Sequence, residues 1–177
     1  VVKDFRDLLT SYDNYINQLS MVGRRAYPFK VLHSYNTDST FSISDLEGHV
    51  SVLDFWTTWC VPCIVGFEEM RDLYDEFKDD GLRVVGITSP QGFFPGMETN
   101  KSKDGKKADL DKEKEFELTS SFIEDHDISW PCIMSEQSIF KMKYSFSIVP
   151  TYVVLDRDLN VRFILSGIGS YPQLRRV

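Results

Sequence analysis

Trp59-Cys60-Val61-Pro62-Cys63 decides the fold of this 177-residue sequence. An apolar run, Val50 to Trp56, precedes it and predicts a buried strand, which one carboxylate, Asp54, interrupts. Apolar residues then recur at helical spacing as far as Phe77, and Gly81 provides an end signal. We therefore expect the two cysteines to lie where a central strand turns into a helix.

This placement favours an ionised sulfur at position 60. Cys60 falls near the N-cap of the predicted helix, and Pro62 falls in the first turn, where a missing N–H costs nothing. The free N–H groups and the positive end of the helix dipole stabilise an anion there, so the thiolate of Cys60 is favoured. Cys63, one turn further on, faces back toward Cys60 and can resolve a mixed disulfide. Burial raises the pKa of a carboxyl group, so Asp54 can accept and return the proton of Cys63.

The residues from Asp54 to Cys63 resemble the active-site motif of the thioredoxin superfamily. Two flanking stretches, Ala26-Tyr27-Pro28-Phe29 and Leu46-Glu47-Gly48-His49, make the chain more similar to the TlpA/ResA-like thiol–disulfide oxidoreductases, which are related to AhpC/TSA redoxins. The resemblance covers roughly residues 26 to 170. It implies a thioredoxin-like α/β fold, in which helices flank a central mixed β-sheet, with an N-terminal β-hairpin and an inserted segment.

The chain is expected to comprise an N-terminal helical extension, 1–24, and a thioredoxin-like domain, 25–177, with a charged insertion at about 89–116. The predicted hairpin pairs two short strands, 29–32 and 40–43. Further elements are predicted along the domain, namely strands at 82–88 and 128–134, a second hairpin of 152–155 with 161–165, and helices at 115–126, 138–144 and from 171 onward.

The extension carries an apolar stripe at the spacing of an amphipathic helix, and Gly23 is expected to end that helix. Its members are Phe5, Leu8, Leu9, Tyr12, Tyr15, Ile16 and Leu19. Such a stripe either packs on this domain or on an upstream one, or it binds a second copy or a partner helix. The sequence leaves these alternatives open.

Val149-Pro150-Thr151 matches the cis-proline loop of the family, which lies opposite the cysteine pair. The resemblance implies a cis bond before Pro150 and a Val149 backbone that pairs with an incoming peptide as an added strand. It also implies that Cys60 is the nucleophile, Cys63 the resolving thiol and Asp54 the proton acceptor. Three further residues are expected at the substrate surface: Trp59, Val61 and Pro62.

Composition narrows the choice of partner. The net charge of −7 argues against nucleic acid, because phosphate binding needs a positive surface. The chain begins with Val1, so an upstream domain, a signal peptide or an anchor can precede it in the full-length protein. The resemblance implies protein disulfide or dithiol substrates, an upstream reductant or oxidant protein, no cofactor, and the bacterial cell envelope as the location, with the cytoplasm as the alternative.

The remaining cysteine, Cys132, does not convert the pair into a zinc site. A four-ligand zinc site usually needs a second cysteine pair, so we expect no metal. Only Cys132 and three scattered histidines are available, namely His33, His49 and His126. Cys132 follows Pro131 in an apolar run and is predicted to be a buried structural thiol.

Two other functions stay open. Thr57-x-x-Cys60 fits part of the peroxiredoxin signature, although Leu53 stands at the position of its proline, so a thiol peroxidase is one alternative. A partner-docking module with incidental redox activity is the other.

The chain also departs from the family at Gly66, where relatives often have Glu, and at Glu68, where many have a helix-kinking proline. The two residues between the cysteines, Val61 and Pro62, do not decide the direction of electron flow. We expect the protein to reduce its substrates.

Overall fold

The computed structural model describes residues 2–96, 110–146, 148–167 and 170–176. The helices are α1 (Val2–Met21), α2 (Val61–Phe77), α3 (Lys112–Asp125) and the short α4 (Tyr171–Leu174). The strands are β1 (Val31–Tyr35), β2 (Ser51–Phe55), β3 (Arg83–Thr88), β4 (Cys132–Ser135), β5 (Thr151–Leu155) and β6 (Val161–Ser166). A 3-10 turn, Ile43–Leu46, precedes β2, and a π-helical turn, Ile139–Lys143, follows β4.

One six-stranded mixed sheet, in the order β1-β4-β3-β2-β5-β6, organises the molecule. The central strand β2 pairs with β3 in parallel and with β5 in antiparallel orientation. All five residues of β2 are buried, as its apolar run predicted. The carboxyl ends of the parallel strands β2, β3 and β4 meet at one edge of the sheet, and α2 begins at that edge, directly after β2. The predicted α/β architecture is confirmed.

Alternation along β2 divides the core between the two faces of the sheet. Val52 and Trp56 pack on one face with side chains of α2 and α3, while Leu53 and Phe55 pack on the other face. Trp56 stacks on Phe122 of α3, with ring centroids 5.5 Å apart. The first face, which lies beneath α2, is the face that carries the cysteine pair.

The predicted N-terminal β-hairpin is wrong. β1 covers its first strand in part but pairs with β4 instead, in antiparallel orientation. Where the second strand was expected, the 3-10 turn begins after Ser42. The Asp45 carboxylate accepts hydrogen bonds from the Ser42 backbone N–H at 2.6 Å and from its hydroxyl at 2.9 Å. This capping box uses the Ser42 backbone N–H, which a strand of a hairpin would donate to its partner strand. Leu46, at the end of the 3-10 turn, is buried in the core.

The extension forms α1 as predicted, and Gly23, at φ +84°, follows its end. Of the alternatives for the apolar stripe, packing of all its members on this domain does not occur. The described side chains at positions 9, 12, 15, 16 and 19 are exposed. The described contacts with the domain lie at the end of the helix, where Met21 is buried and Gln18 Nε2 donates to the Ser145 carbonyl at 3.0 Å. None of the helices within the described ranges is long and apolar enough to cross a membrane.

The predicted C-terminal hairpin is confirmed by the pairing of β5 with β6. Within the predicted insertion of about 89–116, α3 begins at Lys112. Residues 97–109 of that insertion lie outside the described residues. The expected helix over 115–126 therefore starts three residues earlier, where Asp111 takes the N-cap position.

Two glycines allow close packing beneath α2. A Cβ at Gly86 in β3 would lie 2.5 Å from Cys132 Sγ and 2.8 Å from Trp56 Nε1, so no larger residue fits without displacement of these side chains. A Cβ at Gly66 in α2 would lie 3.2 Å from Tyr152 Oη on β5. The phenol of Tyr152 therefore leaves little room for a larger residue in the middle of the helix.

Candidate active site

The cysteine pair lies at the N-terminus of α2, where the sequence placed it. Cys60 is the N-cap residue, with an extended backbone, and is joined to Cys63 by a disulfide bond. The backbone N–H of Cys63 donates to Cys60 Sγ at 3.2 Å. Both side chains are almost entirely buried. A negative charge on the Cys60 sulfur would therefore receive a backbone N–H and lie at the positive end of the helix dipole.

Asp54 is the buried carboxylate of the central strand. Its Oδ2 has no hydrogen-bond partner among the described residues. Burial raises the pKa of Asp54 from its ordinary 3.8 to about 7. Strand alternation places this carboxyl on the face of Val52 and Trp56, which pack in the same cluster as Cys63. A carboxyl group with a pKa near neutrality can accept and return a proton at neutral pH.

Asp54 belongs to a row of residues that crosses four strands. It pairs with Gly86 on β3 and with Tyr152 on β5, and Gly86 pairs in turn with Cys132 on β4. Burial raises the pKa of the Cys132 thiol well above its usual value, and the negative charge of Asp54 raises it further. Cys132 therefore stays a neutral thiol, in agreement with the predicted buried structural role.

The Val149–Pro150 peptide bond is cis, as the sequence predicted. Pro150 directly precedes β5, whose first residue, Thr151, pairs with Phe55 at the end of β2. The cis-proline loop therefore lies at the same edge of the sheet as the cysteines. Thr151 Oγ1 donates to the Ile148 carbonyl at 2.9 Å, which ties the loop to the strand.

A groove of about 170 Å³ lies between Trp59 and the cis-proline loop. Trp59 and Val149 line it together with Gln91 and Phe140, so the structure brings two of the predicted substrate-surface residues together. Three apolar side chains around the buried cysteines are about half exposed or more, namely Trp59 (47%), Val61 (67%) and Ile148 (53%). Ile148 was not predicted from the sequence.

The structure adds Gln91 and Glu115 to the surroundings of the site. Gln91 Oε1 accepts a hydrogen bond from Trp59 Nε1 at 3.4 Å, and the buried Glu115 carboxylate binds the backbone of the same loop. In the sequence Glu115 belongs to the charged insertion, and nothing in that pattern distinguishes it from its exposed neighbours. No three His, Cys, Asp or Glu side chains converge on a metal position in the part of the chain that the structure describes.

Comparison with known proteins identifies relatives of the chain. Residues 22–164 match the model of the AhpC/TSA family. The thiol-disulfide oxidoreductase ResA of Oceanobacillus iheyensis is 28% identical over 160 residues, which cover 89% of this chain and 71% of that protein. ResA of Bacillus cereus is 24% identical over 132 residues, or 75% of this chain and 63% of that protein.

Solved structures share the fold. A putative thiol:disulfide interchange protein DsbE from Chlorobium tepidum superimposes with a TM-score of 0.63, at 21% identity, over 88% of this chain and 93% of that one. StoA from Bacillus subtilis superimposes with a TM-score of 0.57, at 18% identity, over 85% of this chain and 93% of that one. These similarities establish the thioredoxin-like fold.

Proposed function

The chain belongs to the AhpC/TSA family, and from this premise we propose that it is a thiol–disulfide oxidoreductase that reduces protein disulfides through Cys60 and Cys63. One observation carries the proposal. The N-cap of α2 is a cysteine whose sulfur accepts the N–H of a second cysteine and is bonded to it. A helix start built in this way stabilises a thiolate and holds its resolving partner within bonding distance.

Each site residue has a role in the proposed exchange. The Cys60 thiolate attacks a substrate disulfide, forms a mixed disulfide and releases one substrate thiolate. The proton of Cys63 passes to Asp54, and the Cys63 thiolate attacks the Cys60 sulfur and releases the second substrate thiolate. The two electrons of the dithiol thus reach the substrate, and the protein is left with its own disulfide. An external dithiol must then reduce that disulfide.

The groove between Trp59 and Val149 accommodates the polypeptide next to the substrate cysteine. Pro150 has no N–H, so the backbone of Val149 is the part of this loop that pairs with an extended segment. Trp59, Val61 and Pro62 complete the contact surface beside the nucleophile. The substrate is therefore a protein disulfide rather than a small disulfide alone, and the electron donor is a second protein dithiol.

We place the protein in the bacterial cell envelope, where protein disulfides form and need a dedicated reductant. Two relatives support a bacterial origin, since they come from Oceanobacillus iheyensis and Bacillus cereus. The test is fractionation of cells that produce the full-length protein. Recovery in the cytosolic fraction alone contradicts this location.

A thiol peroxidase is the second candidate, because Thr57 lies in the loop before the nucleophile and its hydroxyl has no partner among the described residues. Thr57 contacts Cys60 through its backbone, as its carbonyl accepts the Cys60 N–H at 3.1 Å. Consumption of hydrogen peroxide by the reduced protein, with no disulfide substrate present, would favour this candidate.

The test of the oxidoreductase compares three cysteine variants with the wild type in the reduction of an insulin-type polypeptide disulfide. Cys60→Ser is expected to abolish the reaction, because it removes the sulfur that attacks the substrate disulfide. Cys63→Ser is expected to accumulate a mixed disulfide with the substrate. Cys132→Ala is the matched control and is expected to react at nearly the wild-type rate. Equal damage by Cys132→Ala would contradict the two-cysteine mechanism.

A further inference from the structure

The loop of residues 89–92 forms one wall of the substrate groove, to which Ser89 and Gln91 contribute. The loop follows β3 and is held from two sides. Gln137 Nε2 donates to the Pro90 carbonyl at 2.7 Å on one side. On the other side the loop contacts the first turn of α3, which supplies a buried carboxylate.

That carboxylate belongs to Glu115, which is only 3% exposed. Its Oε1 accepts the backbone N–H of Gln91 at 2.6 Å, and its Oε2 accepts the backbone N–H of Gly92 at 3.1 Å. Hydrogen bonds to an ionised acceptor are stronger than neutral ones, and the N-terminal turn of α3 favours a negative charge. One side chain on a helix thus fixes two consecutive peptide groups of the loop.

Gln91 connects the fixed loop to Trp59, the residue that precedes the nucleophile. Its Nε2 donates to the Ser89 carbonyl at 2.8 Å and to the Ser89 hydroxyl at 2.9 Å. These bonds turn Gln91 Oε1 toward Trp59, whose Nε1 donates to it at 3.4 Å. The indole of Trp59 is 47% exposed, and this hydrogen bond joins it to the 89–92 loop.

We propose that Glu115 is a positioning residue that holds the 89–92 loop and, through Gln91, sets the indole of Trp59 over the substrate groove. The inference rests on the proposed reduction of protein disulfides. A wall and an indole that are fixed before the substrate arrives do not have to be ordered on binding, which strengthens binding of an extended polypeptide. Glu115 has no described contact with the sulfur atoms, and it acts through the 89–92 loop and Gln91.

The test is Glu115→Gln, which keeps the size of the side chain but turns one acceptor into a donor that faces a backbone N–H. We expect KM for a polypeptide disulfide to rise about 3- to 10-fold, the range for loss of one pre-ordered side chain, while kcat changes less. A small aromatic disulfide, which does not fill the groove, should be affected less. The matched control is Glu113→Gln, which removes the same charge from the exposed side of the same turn.

A second readout does not depend on activity. Trp56 and Trp130 are fully buried, so iodide quenching of tryptophan fluorescence reports on Trp59. Quenching should increase in Glu115→Gln and in Gln91→Leu, which removes the acceptor of the indole, and not in Glu113→Gln. Unchanged quenching and unchanged KM in Glu115→Gln would overturn the inference, as would an equal effect of Glu113→Gln.

The outcomes also separate this inference from the proposed function. A wild-type protein that reduces neither disulfide refutes the proposed function, and the quenching comparison still decides whether Glu115 holds Trp59. Equal slowing of both substrates by Glu115→Gln overturns the positioning role, because it means that the cysteines themselves were disturbed. If Glu115→Gln does not fold, Gln91→Leu tests the hydrogen bond between Gln91 and Trp59. Normal KM and normal quenching in that variant overturn the inference.

Discussion

Asp54 makes the folded protein less stable as the pH rises. Burial raises its pKa from 3.8 to about 7, so the folded state retains a proton that the unfolded state has already lost. The free energy of unfolding is not reduced by this carboxyl below about pH 4. It falls progressively as the pH rises from about 4 through about 7. At about 1.4 kcal/mol for each unit by which the pKa rises from 3.8 to about 7, the loss amounts to about 4 kcal/mol at pH 8.

Asp54→Asn is therefore expected to unfold at higher denaturant concentration than the wild type at pH 8. The gain in the free energy of unfolding should be at most about 4 kcal/mol at pH 8 and about 2 kcal/mol at pH 5. Guanidinium titrations at both pH values measure it. Disulfide exchange should slow in the same variant, because Cys63 loses the proton acceptor that we propose for it. A gain of equal size at both pH values would show that the charge of Asp54 is not its cause.

The placement of the proposed catalytic residues could be predicted from the sequence because they lie close together along the chain. Cys60 and Cys63 are one helical turn apart, and Asp54 interrupts the strand that leads to them. Gln91 and Glu115 could not be found in this way. They are 24 residues apart and meet through a side chain and a peptide group, and Glu115 differs from its charged neighbours only in being buried.

At the scale of the element, α2 keeps a glycine that weakens it. Gly66 lies in the middle of the helix, where glycine costs about 1 kcal/mol relative to alanine. An alanine Cβ at this position would lie 3.2 Å from Tyr152 Oη, so the phenol or the helix would have to move by a few tenths of an ångström. The departure from the family at Gly66 is visible in the sequence, but its contact with Tyr152 is not, because Tyr152 lies 86 residues further along the chain.

A double-mutant cycle tests this pair. Gly66→Ala alone is expected to be neutral or destabilising, because the gain in helix propensity is offset by contact with the phenol. In a Tyr152→Phe background the same substitution should stabilise the protein by about 1 kcal/mol. Thermal unfolding of the four proteins gives the coupling free energy. A substitution that acts identically in both backgrounds would mean that the tyrosine does not explain the glycine.

The failed hairpin prediction has an equally local cause. The alternation around residues 40–43 favours a strand, but Ser42 and Asp45 are spaced as a capping box and close a 3-10 turn instead. The partner of β1 is a different matter. β4 begins about 100 residues after β1, and no pattern within either strand specifies that pairing.

At the scale of the whole molecule, α1 is attached mainly at its end. Met21 is buried and Gln18 reaches the Ser145 carbonyl, whereas the described apolar side chains before them face outward. We therefore expect the sheet and the cysteine pair to depend little on the part of the helix whose described apolar side chains are exposed.

Removal of residues 1–17 is expected to leave Tm within about 2 °C of the full chain, since few described contacts are lost. The rate of disulfide exchange should also be preserved, because none of the described residues of α1 lines the groove. Calorimetry and the insulin assay measure the two quantities. A fall in Tm of more than about 5 °C would show that the outward face of α1 supports the domain.

The hydrogen bond from the Cys63 N–H to the Cys60 sulfur has a consequence for every catalytic cycle. The atom that gains and loses electrons is also the atom that caps α2, so the acceptor at the start of the helix changes its charge whenever the protein is reduced or oxidised. A thiolate binds that amide hydrogen more tightly than a disulfide sulfur does. Exchange of this single amide with heavy water should therefore slow on reduction and report the redox state of the protein from its own backbone.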